Sequence, residues 1–216
     1  MTDSTTESAK RPVPGVPEPE PQPLQCPPGL TFIVGGARSG KSTLALRYGR
    51  GWQGPVHFIA TAEARDADMA DRIQRHRDER PSHWTLAEEP LALAEAIDAS
   101  PEDALVLVDC LTLWTTNLLL SDDHVSSADE ARNVARALTA RREPAVVISN
   151  EVGFGLVPDN ALGREFRDLL GRVNQIVAAA ADRTALVVAG RALELSSVES
   201  LWGAGGEDVG SSPGRS

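Results

Sequence analysis

Between Leu30 and Ser42 an apolar run, Leu-Thr-Phe-Ile-Val, gives way to Gly35-Gly36-Ala37-Arg38-Ser39-Gly40-Lys41-Ser42. No other stretch limits the fold as strongly. The spacing G-x-x-x-x-G-K-[ST], set after a strand-like run and before a helix-like one, is that of a loop whose backbone N–H groups close around phosphate oxygens. The N-terminus of the following helix adds partial positive charge to the same place. Lys41 would reach the outer phosphates and Ser42 would ligate Mg²⁺. A chance glycine-rich turn would need neither the flanking strand nor the helix. Pattern and context together imply a chain that binds a nucleoside triphosphate.

Apolar runs recur along the chain at 55–60, 104–109, 144–149 and 184–189, with a weaker one at 84–87. Continuous runs of this kind suit strands buried on both faces of a mainly parallel sheet. Helical patterns fill the gaps. The clearest spans 163–181, where Phe166, Leu169, Leu170, Val173, Ile176, Val177 and Ala180 share one face. The alternation predicts a doubly wound α/β domain over 29–202, with ligands held outside the carboxyl ends of the strands. Residues 1–28 carry eight prolines and are expected to form a disordered tail, because proline joins neither helix nor ladder hydrogen bonds. Residues 203–216, rich in glycine and serine, are expected to form a second one.

A net charge of −10 argues against a general nucleic-acid or membrane-surface binder, so an anionic ligand must meet a local basic site. No apolar run is long enough to span a membrane, and the polar, proline-rich start does not resemble a signal peptide. Cys26 and Cys110 lack metal-ligand or redox spacing, which makes a reducing cytoplasm the expected setting.

Three further stretches carry candidate chemistry. Asp109 ends the run Leu105–Val108, where a carboxylate at a strand tip would hold Mg²⁺ directly or through water. Its competitor is a capping role for the helix that starts near Leu111. In Asp66–Arg80, acids come early and bases late, as the helix dipole favours. Arg72, His76 and Arg80 are spaced by four and form one stripe, bordered by Met69 and Ile73. A histidine among Arg75, Arg77 and Arg80 is suited to meeting phosphate, and a neutral imidazole is a nucleophile. By spacing alone, a solvated and salt-bridged helix surface competes with that reading. Asn150–Asn160 follows a strand directly, so its glycines and amides suit a substrate loop or a plain long connection. His57, His83 and His124 show no metal-ligand pattern, and Trp52, Trp84, Trp114 and Trp202 are read as packing or rim residues.

Taken in order, Gly35–Ser42, Ile59-Ala60-Thr61, Met69–Pro81, Trp84–Glu88, Ser149–Asn160 and Phe166–Gln175 resemble the bifunctional adenosylcobinamide kinase / adenosylcobinamide-phosphate guanylyltransferase family of cobalamin biosynthesis. The resemblance implies a P-loop, RecA-like α/β domain that assembles as a homotrimer. It also implies that the hydroxyl of adenosylcobinamide takes a phosphoryl group from ATP or GTP, and that GMP is then transferred from GTP through a guanylylated histidine, here His76. Implied nucleotide contacts are Gly35, Gly36, Ala37, Arg38, Ser39, Gly40, Lys41, Ser42, Ile59, Ala60, Thr61, Arg77, Asp78, Glu79, Arg80, Glu88 and Asp109. Lys41 joins His76 as catalytic, and Ser42 and Asp109 hold the metal. Family members often carry two adjacent histidines where this chain has Arg75-His76, so the nucleophile is kept and its neighbour is not. The proline-rich N-terminal tail also departs from the family pattern. Two rivals remain at this point: a P-loop small-molecule kinase without guanylyl transfer, and an NTP-dependent switch or assembly protein. The second lacks an Asn-Lys-x-Asp base-reading segment.

Overall fold

The computed structural model describes residues 21–64, 67–121 and 126–202. The tail segments 1–20 and 203–216, Asp66, His124, and the side chains of Asp68, Arg72 and Trp202 lie outside the described residues.

The apolar runs become strands β1 (Leu30–Gly35), β2 (Val56–Ala60), β3 (Thr85–Glu88), β4 (Leu105–Asp109), β5 (Ala145–Asn150) and β6 (Arg183–Val188). Within this set, every pairing is parallel. The intervening segments form helices α1 (Lys41–Gly51), α2 (Ala67–Asp78), α3 (Leu93–Asp98), α4 (Leu111–Leu120), α5 (Ser127–Thr139) and α6 (Ala161–Ala180), and a short α7 (Val198–Trp202) follows. The strands are continuous in hydrophobicity because alternate residues serve different layers. Phe32, Val34, Val106, Val108 and Val147 pack with Leu93, Trp114, Val134 and Val173 from the helices on one face. Ile33, Leu105, Leu107, Val146 and Ile148 pack with Ala45 and Leu46 of α1 on the other.

One strand was not anticipated. β7 (Arg191–Leu195) returns antiparallel to β6 and completes a seven-stranded sheet in the order β3-β2-β4-β5-β1-β6-β7. All its residues are exposed, so no apolar run marks it. The hairpin turns through Ala189 and Gly190, both at positive φ, and it backs the glycine-rich loop: Gly190 N–H donates to Ser39 O at 2.8 Å.

The N-terminal boundary also differs from the expected tail. Residues 21–29 form no helix or strand, yet Leu24 N–H donates to Arg47 O and Cys26 is buried in the α1-side core. The packed part of the chain therefore begins before residue 29. Among the described residues no helix is long and apolar enough to cross a membrane.

The order of the strands sets the site. The chain leaves β1, crosses to β2 and β3, and returns through β4 and β5 to the near side of β1. The carboxyl ends of five parallel strands then present Gly35, Ala60, Glu88, Asp109 and Asn150 along one edge, where an open α/β sheet holds ligands.

Candidate active site

Gly40 begins α1 with φ of 101°, a left-handed value that glycine adopts without the steric penalty of a side chain. A Cβ there would lie 3.3 Å from Gly190 Cα, so the hairpin turn closes the loop from behind. The loop surrounds a cavity of about 500 Å³ lined by Ala37–Thr43 on one side and by Arg75, His76 and Glu79 of the α2 end on the other. Lys41 folds back across it, donating from Nζ to Gly36 O at 3.1 Å.

A second, narrower crevice of about 120 Å³ adjoins the first. Lys41, Ser42 and His76 line both. Its remaining wall includes Phe58, Ala60, Glu88, Asp109, Thr112 and Asn150 from the strand ends and α4, and Met69, Ile73 and Arg80 from the α2 segment. Of the stripe and border residues read from sequence, Met69, Ile73, His76 and Arg80 face the crevice together.

The end of α2 is held in three places. Arg50 of α1 donates from Nη2 to Glu79 O at 2.8 Å. Arg77 pairs with Glu88 at the tip of β3. The Arg80 guanidinium lies 4.3 Å over the Phe58 ring, a cation–π contact. Burial first, and then the Arg77 charge, lower the Arg80 pKa, while Asp109 and Glu88 oppose that shift. His76 Nδ1 lies 3.6 Å from Glu79 Oε2.

The strand-end trio Ile59-Ala60-Thr61 divides by role. Ile59 is buried in the core, Ala60 lines the crevice, and Thr61 is fully buried at 0% exposure. Thr61 Oγ1 donates to Cys110 O at 2.7 Å and accepts from Cys110 N–H at 2.9 Å. Its side chain therefore braces β2 against β4 instead of facing a ligand. Asp78 is occupied on the helix surface, accepting from Gln74 Nε2 at 2.8 Å. Gly36, Ala37 and Arg38 are exposed at the loop mouth, whereas Gly35 and Ser39 are buried beneath it.

Ser42 and Asp109 contribute a hydroxyl and a carboxylate to one crevice. Hard oxygen donors of this kind fit Mg²⁺, which takes one or two protein oxygens and completes its shell with phosphate and water. Burial, reinforced by the Asp109 charge, pushes the neighbouring Cys110 thiol up to about 11, so it stays protonated near neutrality.

Thr112 and Asn174 escaped the sequence reading. Thr112 Oγ1 accepts from Asn150 N–H at 2.7 Å, and Asn174 Nδ2 donates to Asn150 O at 3.0 Å. These two contacts fix the β5 tip, so that Asn150, the first residue of the segment read as a substrate loop or a plain connection, reaches the crevice. Neither carried a signal in sequence, because each acts on a strand tip remote along the chain. His57 lines neither cavity; its Nδ1 lies 2.7 Å from Thr85 Oγ1. Trp114 is fully buried and Trp84 nearly so, as packing residues should be.

A phosphate-binding loop opening onto a strand-tip carboxylate, with two strands between β1 and β2, defines the chain as a P-loop nucleotide-binding protein with a single mainly parallel α/β domain. Residues 31–195 match the family described as cobinamide kinase / cobinamide phosphate guanyltransferase, and the chain belongs to that family. It is 43% identical over 165 residues to the bifunctional adenosylcobalamin biosynthesis protein CobP of Pseudomonas aeruginosa, a match covering 76% of this chain and 95% of that protein. Against the bifunctional adenosylcobalamin biosynthesis protein CobU of Salmonella typhimurium the identity is 42% over 176 residues, covering 74% and 96%. Among solved structures, the flagellar accessory protein FlaH of Methanocaldococcus jannaschii aligns over 76% of this chain and 74% of its own, at 13% identity and a TM-score of 0.47.

Proposed function

We propose that this chain carries out both transfers of its family in the two adjoining cavities, with His76 serving as the covalent carrier of GMP. The observation that carries this reading is that His76 lines the loop cavity and the crevice at once. A group carried on that ring can be received from a triphosphate in the first and handed to an acceptor in the second.

In the kinase step, the hydroxyl of adenosylcobinamide attacks the γ-phosphorus of ATP or GTP. The loop N–H groups from Gly35 to Ser42 and the Lys41 ammonium stabilise charge on the transferring phosphoryl group. Ser42 and Asp109 would hold Mg²⁺, which supplies further neutralisation of phosphate charge. In the guanylyl step, His76 attacks the α-phosphorus of GTP and pyrophosphate leaves. A phosphate oxygen of the phosphorylated corrinoid then displaces GMP from the ring, giving adenosylcobinamide-GDP. Covalent catalysis divides one difficult transfer into two easier ones. Arg77, Arg80 and Glu88 are assigned to the nucleoside side of the crevice, and the P-loop domain of 29–202 holds both activities.

The corrinoid is assigned to the segment after β5. Phe154 and Leu156 there are 85% and 96% exposed, and a broad macrocycle offers the area to cover them. Exposed Leu193, Leu195, Val198 and Leu201 support assembly as a homotrimer. Two free buried thiols, Cys26 and Cys110, are consistent with work in a reducing cytoplasm.

GTP labelled at the α- or γ-phosphate tests the proposal. The α-label is expected to stay on the denatured protein and the γ-label to be lost, with no α-label retained by His76→Ala. Retention of α-label by that variant would falsify the assignment.

A further inference from the structure

The two ring nitrogens of His76 have different surroundings. Nδ1 faces the Glu79 carboxylate at 3.6 Å, and Nε2 has no partner among the described residues. Glu79 itself is not a free surface glutamate. Its N–H donates to Arg75 O at 3.2 Å, and its C=O accepts from Arg50 of α1 at 2.8 Å. The helix that starts at the phosphate loop therefore also fixes the main chain of Glu79. Glu79 lines the loop cavity together with His76. The other carboxylates near the end of α2 are engaged elsewhere, Asp78 with Gln74 and Glu88 with Arg77.

We propose that Glu79 is the positioning residue for His76: it holds the proton on Nδ1, leaves Nε2 as the attacking atom, and makes the covalent adduct the Nε2-linked isomer. This rests on the reading that His76 carries GMP. The separation is longer than a hydrogen bond, and contacts of this kind commonly close only when substrate is bound. In the step, the Nε2 lone pair forms a bond to the α-phosphorus. The bond from that phosphorus to the oxygen bridging to the β-phosphate breaks, and its electron pair leaves with pyrophosphate. The ring then bears a positive charge and a proton on Nδ1. The Glu79 carboxylate neutralises that charge and keeps the proton on Nδ1. When a substrate phosphate oxygen displaces GMP, the N–P electron pair returns to Nε2 and the ring is neutral again, its proton still on Nδ1. A carboxylate that fixes the tautomer of a histidine in this way acts through the ring and does not touch the reacting phosphorus.

The test uses the full chain, ¹⁵N-labelled in histidine, incubated with GTP and Mg²⁺ and no corrinoid. Two-bond ¹H–¹⁵N correlations distinguish Nε2- from Nδ1-linked adducts, and peptide mass spectrometry locates the GMP. Wild type is expected to show the Nε2 adduct on His76. Glu79→Gln keeps size and polarity at an exposed position; at saturating GTP it is expected to form the adduct about ten- to a hundredfold more slowly, a loss in rate constant beyond any change in GTP affinity. Glu79→Ala, which removes tautomer control as well, is expected to show a measurable Nδ1-linked fraction. An Nδ1 adduct in wild type overturns the proposal, as does a Glu79→Gln variant that matches wild type. It is equally overturned if the only defect of that variant is weaker GTP binding, which would make Glu79 a nucleotide contact. A chain with no GMP on His76 overturns the transferase assignment, and this role for Glu79 with it.

Discussion

Thr61 Oγ1 sits between the N–H and the C=O of Cys110, accepting from one and donating to the other, in a region with no access to water. Thr61→Val keeps the shape of the side chain and leaves both backbone groups of Cys110 without their buried partner. Unsatisfied buried polar groups cost about 1–3 kcal/mol each. The variant is expected to lower the unfolding free energy by about 2–6 kcal/mol for the two groups, read as a lower urea midpoint at an unchanged m-value, and to leave the nucleotide affinity of surviving folded protein near wild type. A large loss of affinity at full stability would instead return Thr61 to the ligand. Asp109 and His76 behave differently from Thr61, although the family resemblance implies a nucleotide-site role for all three. Their side chains line the crevice, so they are exposed to whatever binds there.

At the scale of elements, α2 is the segment whose placement matters most. It carries Met69, Ile73 and His76 to the crevice, and its carboxyl end is held by Arg50 on Glu79 O, Arg77 on Glu88, and Arg80 over Phe58. Arg50→Ala removes the contact with α1 while leaving the phosphate loop intact. Guanylylation of His76 is expected to fall about tenfold, in line with a charge-assisted hydrogen bond of roughly 1.5–3 kcal/mol net of partial compensation. Phosphoryl transfer from ATP to adenosylcobinamide is expected to persist in the same variant. Equal loss of both activities would mean that Arg50 serves the loop itself and not the helix that bears the histidine.

For the whole molecule, sheet order converts a linear set of motifs into one edge. β1 lies between β5 and β6, so the loop after β1 opens beside the tips of β5 and β4. The far side of the sheet ends in β7, whose exposed Leu193 and Leu195 stand on an outer strand with one free edge. Exposed apolar edge strands are natural pairing surfaces. Light scattering is expected to give three chains per particle, and Leu193→Asp combined with Leu195→Asp is expected to release monomers that retain the wild-type circular dichroism. A wild-type chain that runs as a monomer removes the trimer from the account.

The amino-acid sequence by itself determined the parts whose physics is local. A run such as Leu105–Val108 has no polar face and can only be a strand covered on both sides. Gly35–Ser42 has a backbone that only a phosphate-binding turn requires, and the pattern at 163–181 can bury its stripe only as a helix, observed at 161–180. Tertiary structure decided everything that depends on which surfaces meet. β7 is wholly exposed and becomes a strand because β6 offers it a ladder. Cys26, in a proline-rich stretch formless by composition, is buried because α1 leaves a place for it. Ile59, Ala60 and Thr61 read alike as a nucleotide segment, yet only Ala60 reaches the crevice, because successive side chains of a strand point to opposite faces. The approach of Glu79 to His76 follows from helical i,i+3 spacing, whereas its anchor, Arg50, is remote along the chain and adjacent only once α1 and the end of α2 close on the same cavity.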